Sequence, residues 1–383
     1  MRIAFYAPMK PPHHPVPSGD RQMARMLIEA LQLSGHHVDN PSAFRSWQKE
    51  PDPEKQAALK VQGEREAAKL IEEYLQGQRP CPDLWFTYHL YYKAPDWIGP
   101  KVSASLAIPY IIAEASLAYK RAEGPWALGH QGTLAALESA ASFITLNPLD
   151  AECLPSSEKI RELRPFVDTS FYREAAKSRA RHRMALSRKH AIDPDRVWLA
   201  SVAMFRPGDK LASYRLLAEA LKPLEKSEGP CKDWSLIVAG GGEAEREVKA
   251  FFAAFEQGRI HFIGAQSEEG LLGLYAAADL FVWPAINEAF GMAILEAQAS
   301  GLPVVAGSEP GVAAIVRNGS SGCLVQSHDT LAFREAVERL IASPEERKRL
   351  SLGAIRKSSS EHDRAAAAKT MDLILKEVCQ RHG

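Results

Sequence analysis

One stretch of the chain, residues 280–306, combines a strand, a loop, a helix and a second strand in close succession. The apolar run Leu280-Phe281-Val282-Trp283 is typical of a buried parallel strand, and the proline after it ends the run. A helix is predicted from about Phe290 to Ser300, because a glycine and a proline follow as stop signals before Val304-Val305-Ala306. Strands that alternate with helices predict an α/β fold with a parallel sheet.

Two glutamates, Glu288 in the loop and Glu296 in the helix, lie eight residues apart in this stretch. Both can face one ligand that lies over the helix N-terminus. The backbone N–H groups of Ala289, Phe290 and Gly291 are predicted to be free there, where a phosphate binds well, and the glycine admits close approach. The alternative is that two glutamates merely flank a surface helix, and their spacing alone hardly distinguishes the two interpretations.

The order of Pro, Glu, Phe-Gly, Leu-Glu-Ala and Gly-Leu-Pro-Val-Val around these glutamates is more specific. It resembles the E-x7-E signature of the retaining glycosyltransferases of family 4. The resemblance implies an α/β chain of the GT-B fold, with two doubly wound Rossmann-like domains and an interdomain cleft. It also implies that Glu288 contacts the donor sugar and Glu296 binds the ribose hydroxyls of the nucleotide. The similarity is strong from about Trp198 to Leu324 and loose before it.

Composition excludes several other classes. The 47 basic and 47 acidic residues balance, so no global field points to nucleic acid. The five cysteines are scattered without a C-x-x-C pair, which indicates thiols in a reducing compartment and not a disulfide frame or zinc site. Asp193-Pro194-Asp195 is interpreted as a turn or cap, not a metal site. We therefore expect no metal and no other cofactor.

The resemblance divides the chain into an acceptor-side domain, residues 1–165, and a nucleotide-sugar-binding domain, residues 166–359. Residues 160–171 are similar to the interdomain linker of that family, with Phe166 where a glycine is usual. A last helix, at about residues 360–383, is expected to pack back on the first domain. This return comes from the GT-B architecture and not from periodicity.

The N-terminal half begins with a strand over Ile3–Ala7, a proline-rich loop over residues 8–17, and a helix that opens at Ser18-Gly19-Asp20. Chains of the resembled family usually carry a Gly-Gly pair here, close to the donor phosphate. Gly19 is therefore a candidate contact, with a plain turn glycine as the alternative. Asp20 is interpreted as a helix cap.

The same family commonly places a histidine after a later strand, where this chain has Glu114-Ala115-Ser116. Glu114, at a predicted strand end, is our candidate for accepting hydrogen bonds from sugar hydroxyls. For His89 and His130 the favoured interpretation is a structural role at a strand end or helix cap, with a ligand role as the alternative. Lys120 or Arg121 is a candidate cation for an anionic acceptor.

In the C-terminal half, Arg206 and Lys210 are predicted to stabilise a departing diphosphate, because fixed cations belong where that negative charge gathers. The resembled family has an Arg and a Lys here with one more residue between them. Gly240 and Gly241 are expected to admit close approach of the nucleotide sugar, since their spacing does not fit a dinucleotide fingerprint. The basic segment 172–191 is interpreted as a solvated helix face, with an anionic membrane or acceptor surface as the alternative.

The sequence thus predicts a retaining transfer of sugar from a UDP- or GDP-sugar to an acceptor hydroxyl, in polysaccharide or glycoconjugate synthesis. The expected acceptor is a saccharide or lipid-linked saccharide. The expected location is the cytoplasm, with a peripheral position at the inner face of the membrane as a variant. The alternatives are a nucleotide-sugar-binding protein without catalysis and a GT-B sugar-nucleotide epimerase.

Overall fold

A computed structural model describes residues 1–16 and 18–382. Pro17, the last residue of the predicted proline-rich loop, lies outside the described residues. The chain divides into two compact units, Pro165–Asp363 and Met1–Arg164 together with the chain from Arg364 onward. Each unit contains one six-stranded parallel sheet. The α/β fold of two Rossmann-like domains is therefore confirmed.

The first unit has six strands, namely β1 (Arg2–Tyr6), β2 (His37–Asp39), β3 (Leu84–Leu90), β4 (Tyr110–Ala115), β5 (Ser142–Thr145) and β6 (Ile160–Glu162). Its helices are α1 (Gly19–Leu33), α2 (Pro53–Leu75), α3 (Gly99–Leu106), α4 (Ala127–Ser139), α5 (Pro148–Ala151) and, from the chain terminus, α15 (Arg364–His382). Short 3₁₀ turns occupy Tyr119–Arg121, Gly124–Trp126 and Ser157–Lys159.

The second unit has the strands β7 (Val197–Val202), β8 (Trp234–Ala239), β9 (Ile260–Gly264), β10 (Leu280–Trp283), β11 (Val304–Gly307) and β12 (Gly322–Val325). Its helices are α6 (Thr169–Lys177), α7 (Arg179–His190), α8 (Asp209–Leu221), α9 (Glu245–Phe251), α10 (Glu268–Ala277), α11 (Met292–Ala299), α12 (Pro310–Ile315), α13 (Thr330–Ala342) and α14 (Pro344–Glu361).

The order of the strands determines where each sheet can bind a ligand. The first sheet runs β2-β1-β3-β4-β5-β6 and the second runs β12-β11-β10-β7-β8-β9, with parallel pairing throughout. The order reverses between β1 and β3 in the first sheet and between β7 and β10 in the second. Ligands of doubly wound sheets bind beyond the carboxyl ends of the strands at such a reversal.

The core of each unit lies on both faces of its sheet. All six residues of β8 are buried, and so are six of the seven in β3. Such continuous burial is typical of parallel strands that helices cover on both sides. Trp85, Trp198 and Trp234 are among the largest side chains that are completely buried.

Two short edge strands and one helical segment differ from the prediction. Strands β2 and β6 have three residues each, and β6 lies within the segment that was interpreted as a linker. The basic segment 172–191 forms parts of two helices, α6 and α7. Its Arg179 and Arg183 both pair with Asp279 and donate to carbonyl oxygens at the end of α10. These two arginines therefore belong to the packing of the unit, and the segment is not simply a solvated face.

The chain passes from one unit to the other at two points that lie side by side. The Val167 amide donates to the His362 carbonyl oxygen at 3.0 Å, and the buried His362 ring lies with Nδ1 2.7 Å from the Pro165 carbonyl oxygen. Helix α14 continues to Glu361, so the last helix begins at Arg364 and not at about residue 360. That helix packs on α1 in the first unit, where the Ser34 hydroxyl donates to the Ala368 carbonyl oxygen at 2.7 Å.

Candidate active site

The loops that follow β7 and β10 meet at the reversal of the second sheet. The loop after β10 is fixed to the first turns of α8 by two hydrogen bonds. These run from the Ile286 amide to the Ser213 hydroxyl oxygen at 3.0 Å and from the Asn287 amide nitrogen to Asp209 Oδ1 at 2.9 Å. The position of Glu288, the next residue, is thereby set by α8 as well as by its own strand.

Glu288 is held through one of its two carboxylate oxygens. Oε2 accepts hydrogen bonds from Lys210 Nζ and, at 3.2 Å, from Trp283 Nε1. Within the described part of the chain Oε1 has no hydrogen-bond donor. The Lys210 ammonium also lies over the Trp283 ring, 5.6 Å from its centre. The arrangement leaves one carboxylate oxygen available to a ligand hydroxyl and places a cation beside it.

The loop that carries Glu288 has an unusual backbone conformation. Ala285 and Asn287 have φ values of 58° and 51°, and Gly291 has 64°. The left-handed region is unfavourable for residues with a Cβ, and clustered outliers of this kind are frequent at functional sites. Because Gly291 is left-handed, α11 begins at Met292, two residues later than the predicted start at Phe290.

A consequence of this loop conformation is a row of backbone N–H groups without acceptors. Residues 289–293 have no backbone or side-chain acceptor for their amides among the described residues. The Ile294 amide, in contrast, donates to the Gly291 carbonyl oxygen at 2.8 Å. Sequence reasoning predicted the free amides of Ala289, Phe290 and Gly291, and the structure extends the row to Met292 and Ala293. Consecutive free amides at a helix start form a concave anion-binding surface.

Glu296 lies in the second turn of α11, and its carboxylate is partly buried. The Tyr275 hydroxyl donates to Glu296 Oε2 at 2.8 Å. Burial raises the pKa of Glu296 to about 7, and the hydrogen bond from Tyr275 opposes this rise only in part. The Glu296 carboxyl therefore changes between its protonated and charged forms near neutral pH. An additional hydroxyl that donates to it would favour the charged form.

The second predicted cation, Arg206, lies in the loop between β7 and α8. Its side chain is exposed, and within the described chain it has neither a carboxylate partner nor a hydrogen-bond acceptor. Lys210, by contrast, is already paired with Glu288. A ligand phosphate therefore finds one free cation and one shared cation in the same loop and helix start.

Gly240 and Gly241 differ in what requires them to be glycine. A Cβ at Gly240 would overlap the Ala203 carbonyl oxygen, so the chain's own packing explains this residue. At Gly241 the nearest atom, the Ala265 Cβ, would lie 3.4 Å from an added Cβ, which is ordinary contact. Packing therefore explains the glycine at position 240 but does not require one at position 241.

In the first unit, Asp20 is not the helix cap that was predicted. Ser18 caps α1 by accepting the Arg21 amide at 3.2 Å, and Asp20 Oδ1 instead lies 3.1 Å from His89 Nδ1. The hydrogen bond from His89 is the main reason that the pKa of Asp20 is lowered. Gly19, the first residue of α1, has no atom within 4 Å of an added Cβ, so packing does not require glycine there.

Glu114 is at the end of β4, next to the strand that carries His89. Both residues are left-handed, with φ values of 57° and 62°. Glu114 Oε1 accepts the Leu146 amide at 2.6 Å, and burial raises the pKa of the carboxyl to about 7. The Glu114 carboxylate is thus partly engaged by the protein, and the negative charge of Asp150 also raises its pKa.

Sequence reasoning missed several residues that support these side chains. Trp283 and Ser213 fix the loop of Glu288, while Tyr275 and the nearby Tyr172 surround Glu296. In the sequence these are ordinary aromatic and hydroxyl-bearing residues. Only their spatial contacts reveal the role, so no pattern in the chain distinguishes them.

The Asp-x-Asp sequence forms a turn, because Asp193 Oδ1 accepts the Asp195 amide at 3.0 Å. Among the described residues there is no group of three or more His, Cys, Asp or Glu side chains arranged to hold a metal ion. Over the same residues, no helix has both the length and the apolar character needed to cross a bilayer.

The second unit has a recognisable family relationship. Residues 184–357 match the family described as Glycosyl transferases group 1. D-inositol 3-phosphate glycosyltransferase from Salinispora tropica is 33% identical over 206 residues, which is 52% of this chain and 42% of the relative. The same enzyme from Thermobispora bispora is 31% identical over 234 residues, which is 59% of this chain and 52% of the relative. The chain thus spans about half the length of these curated relatives.

Solved structures resemble the chain over almost its whole length. A glycosyltransferase from Rickettsia africae superposes with a TM-score of 0.74 at 16% identity, covering 98% of both chains. HepE from Anabaena in complex with UDP has a TM-score of 0.69 at 15% identity and covers 98% of this chain and 100% of its own. Sucrose-phosphate synthase from Thermosynechococcus elongatus has a TM-score of 0.69 at 19% identity, with 99% of both chains covered. These similarities establish the GT-B fold.

Proposed function

We propose that the protein is a retaining glycosyltransferase of family 4, which transfers a sugar from a UDP- or GDP-sugar to an acceptor hydroxyl. The acceptor in this proposal is a saccharide or a lipid-linked saccharide in polysaccharide or glycoconjugate synthesis. The match of residues 184–357 to Glycosyl transferases group 1 supports it. So does the UDP bound by HepE, which shares the fold.

The observation that carries the proposal is the row of free amides at residues 289–293, next to the Lys210–Glu288 pair. These groups lie at the reversal of the second sheet, where doubly wound domains bind ligands. A diphosphate against the amides would have its charge met by backbone dipoles, Lys210 and Arg206.

The proposed reaction breaks the bond between the anomeric carbon and the diphosphate oxygen, and the electron pair stays on that oxygen. The amides and the two cations stabilise the charge as it develops, which is often the largest single contribution to a rate. The acceptor oxygen attacks from the side of the departing diphosphate, and its proton passes to the leaving phosphate oxygen. Glu288 would hold the donor sugar through its open Oε1, and Glu296 would accept the ribose hydroxyls.

The proposal includes no metal ion and no organic cofactor. Lys210, Arg206 and the amide row supply the electrostatic stabilisation that a divalent cation would otherwise provide.

A peripheral contact with an anionic membrane is a separate proposal, based on the basic residues of α7 that α10 does not bind. Co-sedimentation with anionic and neutral vesicles tests it, and equal binding to both would contradict it.

The experiment that tests the proposed function is a titration of the protein with UDP and GDP, followed by the same titration of variants. Glu296→Ala and Arg206→Ala are each expected to weaken binding by about tenfold or more, because each removes a hydrogen bond that involves a charged group. Arg188→Ala is the matched control, since Arg188 is exposed on α7. Unchanged affinity in both site variants would contradict the assignment.

Turnover then distinguishes transfer from the alternatives. Sugar transfer to members of an acceptor panel supports the enzyme, and binding without turnover would favour a non-catalytic binding protein. Conversion of the nucleotide sugar with no acceptor present would favour an epimerase.

A further inference from the structure

The indole of Trp283 contacts both members of the Lys210–Glu288 ion pair. Its Nε1–H donates to Glu288 Oε2 at 3.2 Å, and the Lys210 ammonium lies 5.6 Å from the centre of its ring. Oε2 is also the oxygen that accepts from Lys210 Nζ. The two donors therefore share one oxygen. The same indole restrains the carboxylate through a hydrogen bond and the ammonium through its π face.

Trp283 is itself held in place by the core of the second unit. It is only 2% exposed, and the Tyr214 ring meets it in a T-shaped arrangement with centres 4.9 Å apart. Tyr214 is completely buried, and its hydroxyl donates to the Ala203 carbonyl oxygen at 2.9 Å. Phe205 packs edge-to-face against the same ring, with centres 5.3 Å apart. Close packing on several sides leaves the indole one orientation, so its N–H group is a fixed donor.

The two partners of the ion pair differ in how easily they can move. The Lys210 side chain is 33% exposed and that of Glu288 is 16% exposed. A lysine ammonium has three donors on a flexible four-carbon stem, so it can change partners without a shift of the backbone. Glu288 follows Asn287 in a loop that is hydrogen-bonded to α8. An exchange of partners is therefore open to the lysine and not to the carboxylate.

While it is paired, Lys210 attracts a diphosphate only weakly, because the charges of the two partners largely cancel at a distance. Glu288 directly precedes the free amides of residues 289–293, so its negative charge lies beside the proposed anion site. An anion on these amides gains the full attraction of Lys210 only when the ammonium leaves Glu288 Oε2. The carboxylate then loses its charged donor and keeps the indole donor.

We propose that a bound diphosphate takes Lys210 from Glu288, and that Trp283 is a positioning residue that holds Glu288 after this exchange. Oε2 stays bonded to the fixed indole N–H group, so Oε1 keeps its orientation toward the ligand. One charged hydrogen bond passes from the carboxylate to a phosphate oxygen, and no covalent bond changes. The inference rests on the proposed function, which supplies the nucleoside diphosphate.

Calorimetric titration of the full chain with UDP, GDP and pyrophosphate tests the exchange. Glu288→Ala is expected to raise the affinity for these anions by about fivefold, because they no longer compete with a carboxylate for Lys210. Glu288→Gln, which keeps the length of the side chain, is expected to raise the affinity as well. A loss of affinity in both variants would overturn the proposal.

Removal of a negative charge also relieves repulsion, so the gain is measured a second time in the Lys210→Ala background. The exchange predicts that most of the gain disappears there, because no lysine remains to be released. Repulsion alone would give an equal gain in both backgrounds, and that result would overturn the proposal.

Glu309→Ala is the matched control. Glu309 follows β11, and its Oε1 accepts the Ser327 hydroxyl at 2.6 Å. No lysine or arginine is paired with it in the part of the chain that the structure describes. The substitution removes a carboxylate without releasing a cation, so the affinity for the three anions should stay nearly unchanged.

Trp283→Phe separates a positioning role from a structural one. Phenylalanine keeps a ring against Tyr214 but has no N–H group. The free protein retains the Lys210–Glu288 pair, whereas in the bound protein Oε2 has lost both donors. Anion binding should therefore weaken by about threefold or more. In the Glu288→Ala background the same change should have no effect, and equal weakening in both backgrounds, or none in either, would overturn the role of Trp283.

The indole N–H signal of Trp283 provides a spectroscopic measurement. It is the indole signal in the NMR spectrum that Trp283→Phe removes. Saturation with UDP is expected to shift this signal in the wild type, because the ammonium leaves the ring, and to shift it much less in Lys210→Ala. A signal that stays in place in the saturated wild type would overturn the exchange.

Pyrophosphate distinguishes failure of this inference from failure of the proposed function, because it has two phosphates but no base or ribose. If pyrophosphate shows the gain that depends on Lys210 and neither nucleotide binds, the exchange stands and the proposed function fails. If a nucleotide binds without that gain, the proposed function stands and the exchange is overturned. No binding of any of the three anions would overturn both.

Discussion

Replacement of Glu296 by glutamine is expected to stabilise the protein at alkaline pH. Burial raises the pKa of this carboxyl from 4.5 to about 7. The folded protein therefore holds the proton more tightly than the unfolded chain does. Its stabilising contribution is complete below the unfolded pKa and is lost as the pH rises through the folded pKa.

The size of the effect follows from the shift. One pKa unit corresponds to about 1.4 kcal/mol, so a charged Glu296 costs on the order of 3 kcal/mol of unfolding free energy above pH 7. Glutamine removes the charge and keeps an acceptor for the Tyr275 hydroxyl. The difference in unfolding free energy between the variant and the wild type should therefore grow in favour of the variant as the pH rises, and it should be small in acid.

Urea unfolding at about pH 5 and about pH 8 measures this difference. Glu269→Gln, the same chemical change at an exposed residue of α10, is the control and should show no pH-dependent gain. A difference between wild type and Glu296→Gln that stays constant between the two pH values would refute the reasoning.

The same pair of proteins tests the role of Glu296 in binding. The UDP phosphates titrate in the same way in both measurements, so their pH dependence cancels in the ratio of the two UDP affinities. If ionised Glu296 accepts ribose hydroxyls, the advantage of the wild type should grow by about tenfold between pH 6 and pH 8, as the ionised fraction grows. A ratio that does not change with pH would contradict a contact between ionised Glu296 and the nucleotide.

Three further results are expected. Gly311→Ala should lower the free energy of unfolding by about 1–3 kcal/mol and weaken UDP binding, because its Cβ would overlap the Ala289 carbonyl oxygen; urea unfolding and calorimetry measure these two effects, and a neutral substitution would contradict this. Glu114→Gln should raise the thermal midpoint above about pH 7 and not in acid, because burial raises the pKa of that carboxyl to about 7; a midpoint difference independent of pH would exclude this cause. Removal of divalent cations with EDTA should leave UDP affinity and turnover unchanged, and activity restored by added metal would disprove a metal-free reaction.

The sequence predicted the loop at Glu288 because the signals are local. An apolar strand, a glycine and a helix with clear stop signals lie within one short stretch, so each element could be recognised without knowing its neighbours. The helix start was wrong by two residues, because the left-handed Gly291 extends the loop. Element ends depend on single dihedral angles and are the least predictable part of such a stretch.

The features that sequence reasoning missed depend on distant segments. The edge strands β2 and β6 have three residues each, which is too short for a periodic pattern. Asp20 binds His89 across 69 positions of the chain, so its local context indicated only a helix cap. Glu296 owes its raised pKa to burial around α10 and α11, which no pattern of charges reveals.

The central claim is that a nucleoside diphosphate binds to the free amides after Asn287. The most direct measurement is the backbone amide NMR spectrum of the protein during titration with UDP or GDP. The account predicts that the signals of residues 289–293 shift strongly with the bound nucleotide and that those of exposed residues on α7 do not. Nucleotide binding that leaves the five amide signals in place would contradict the account.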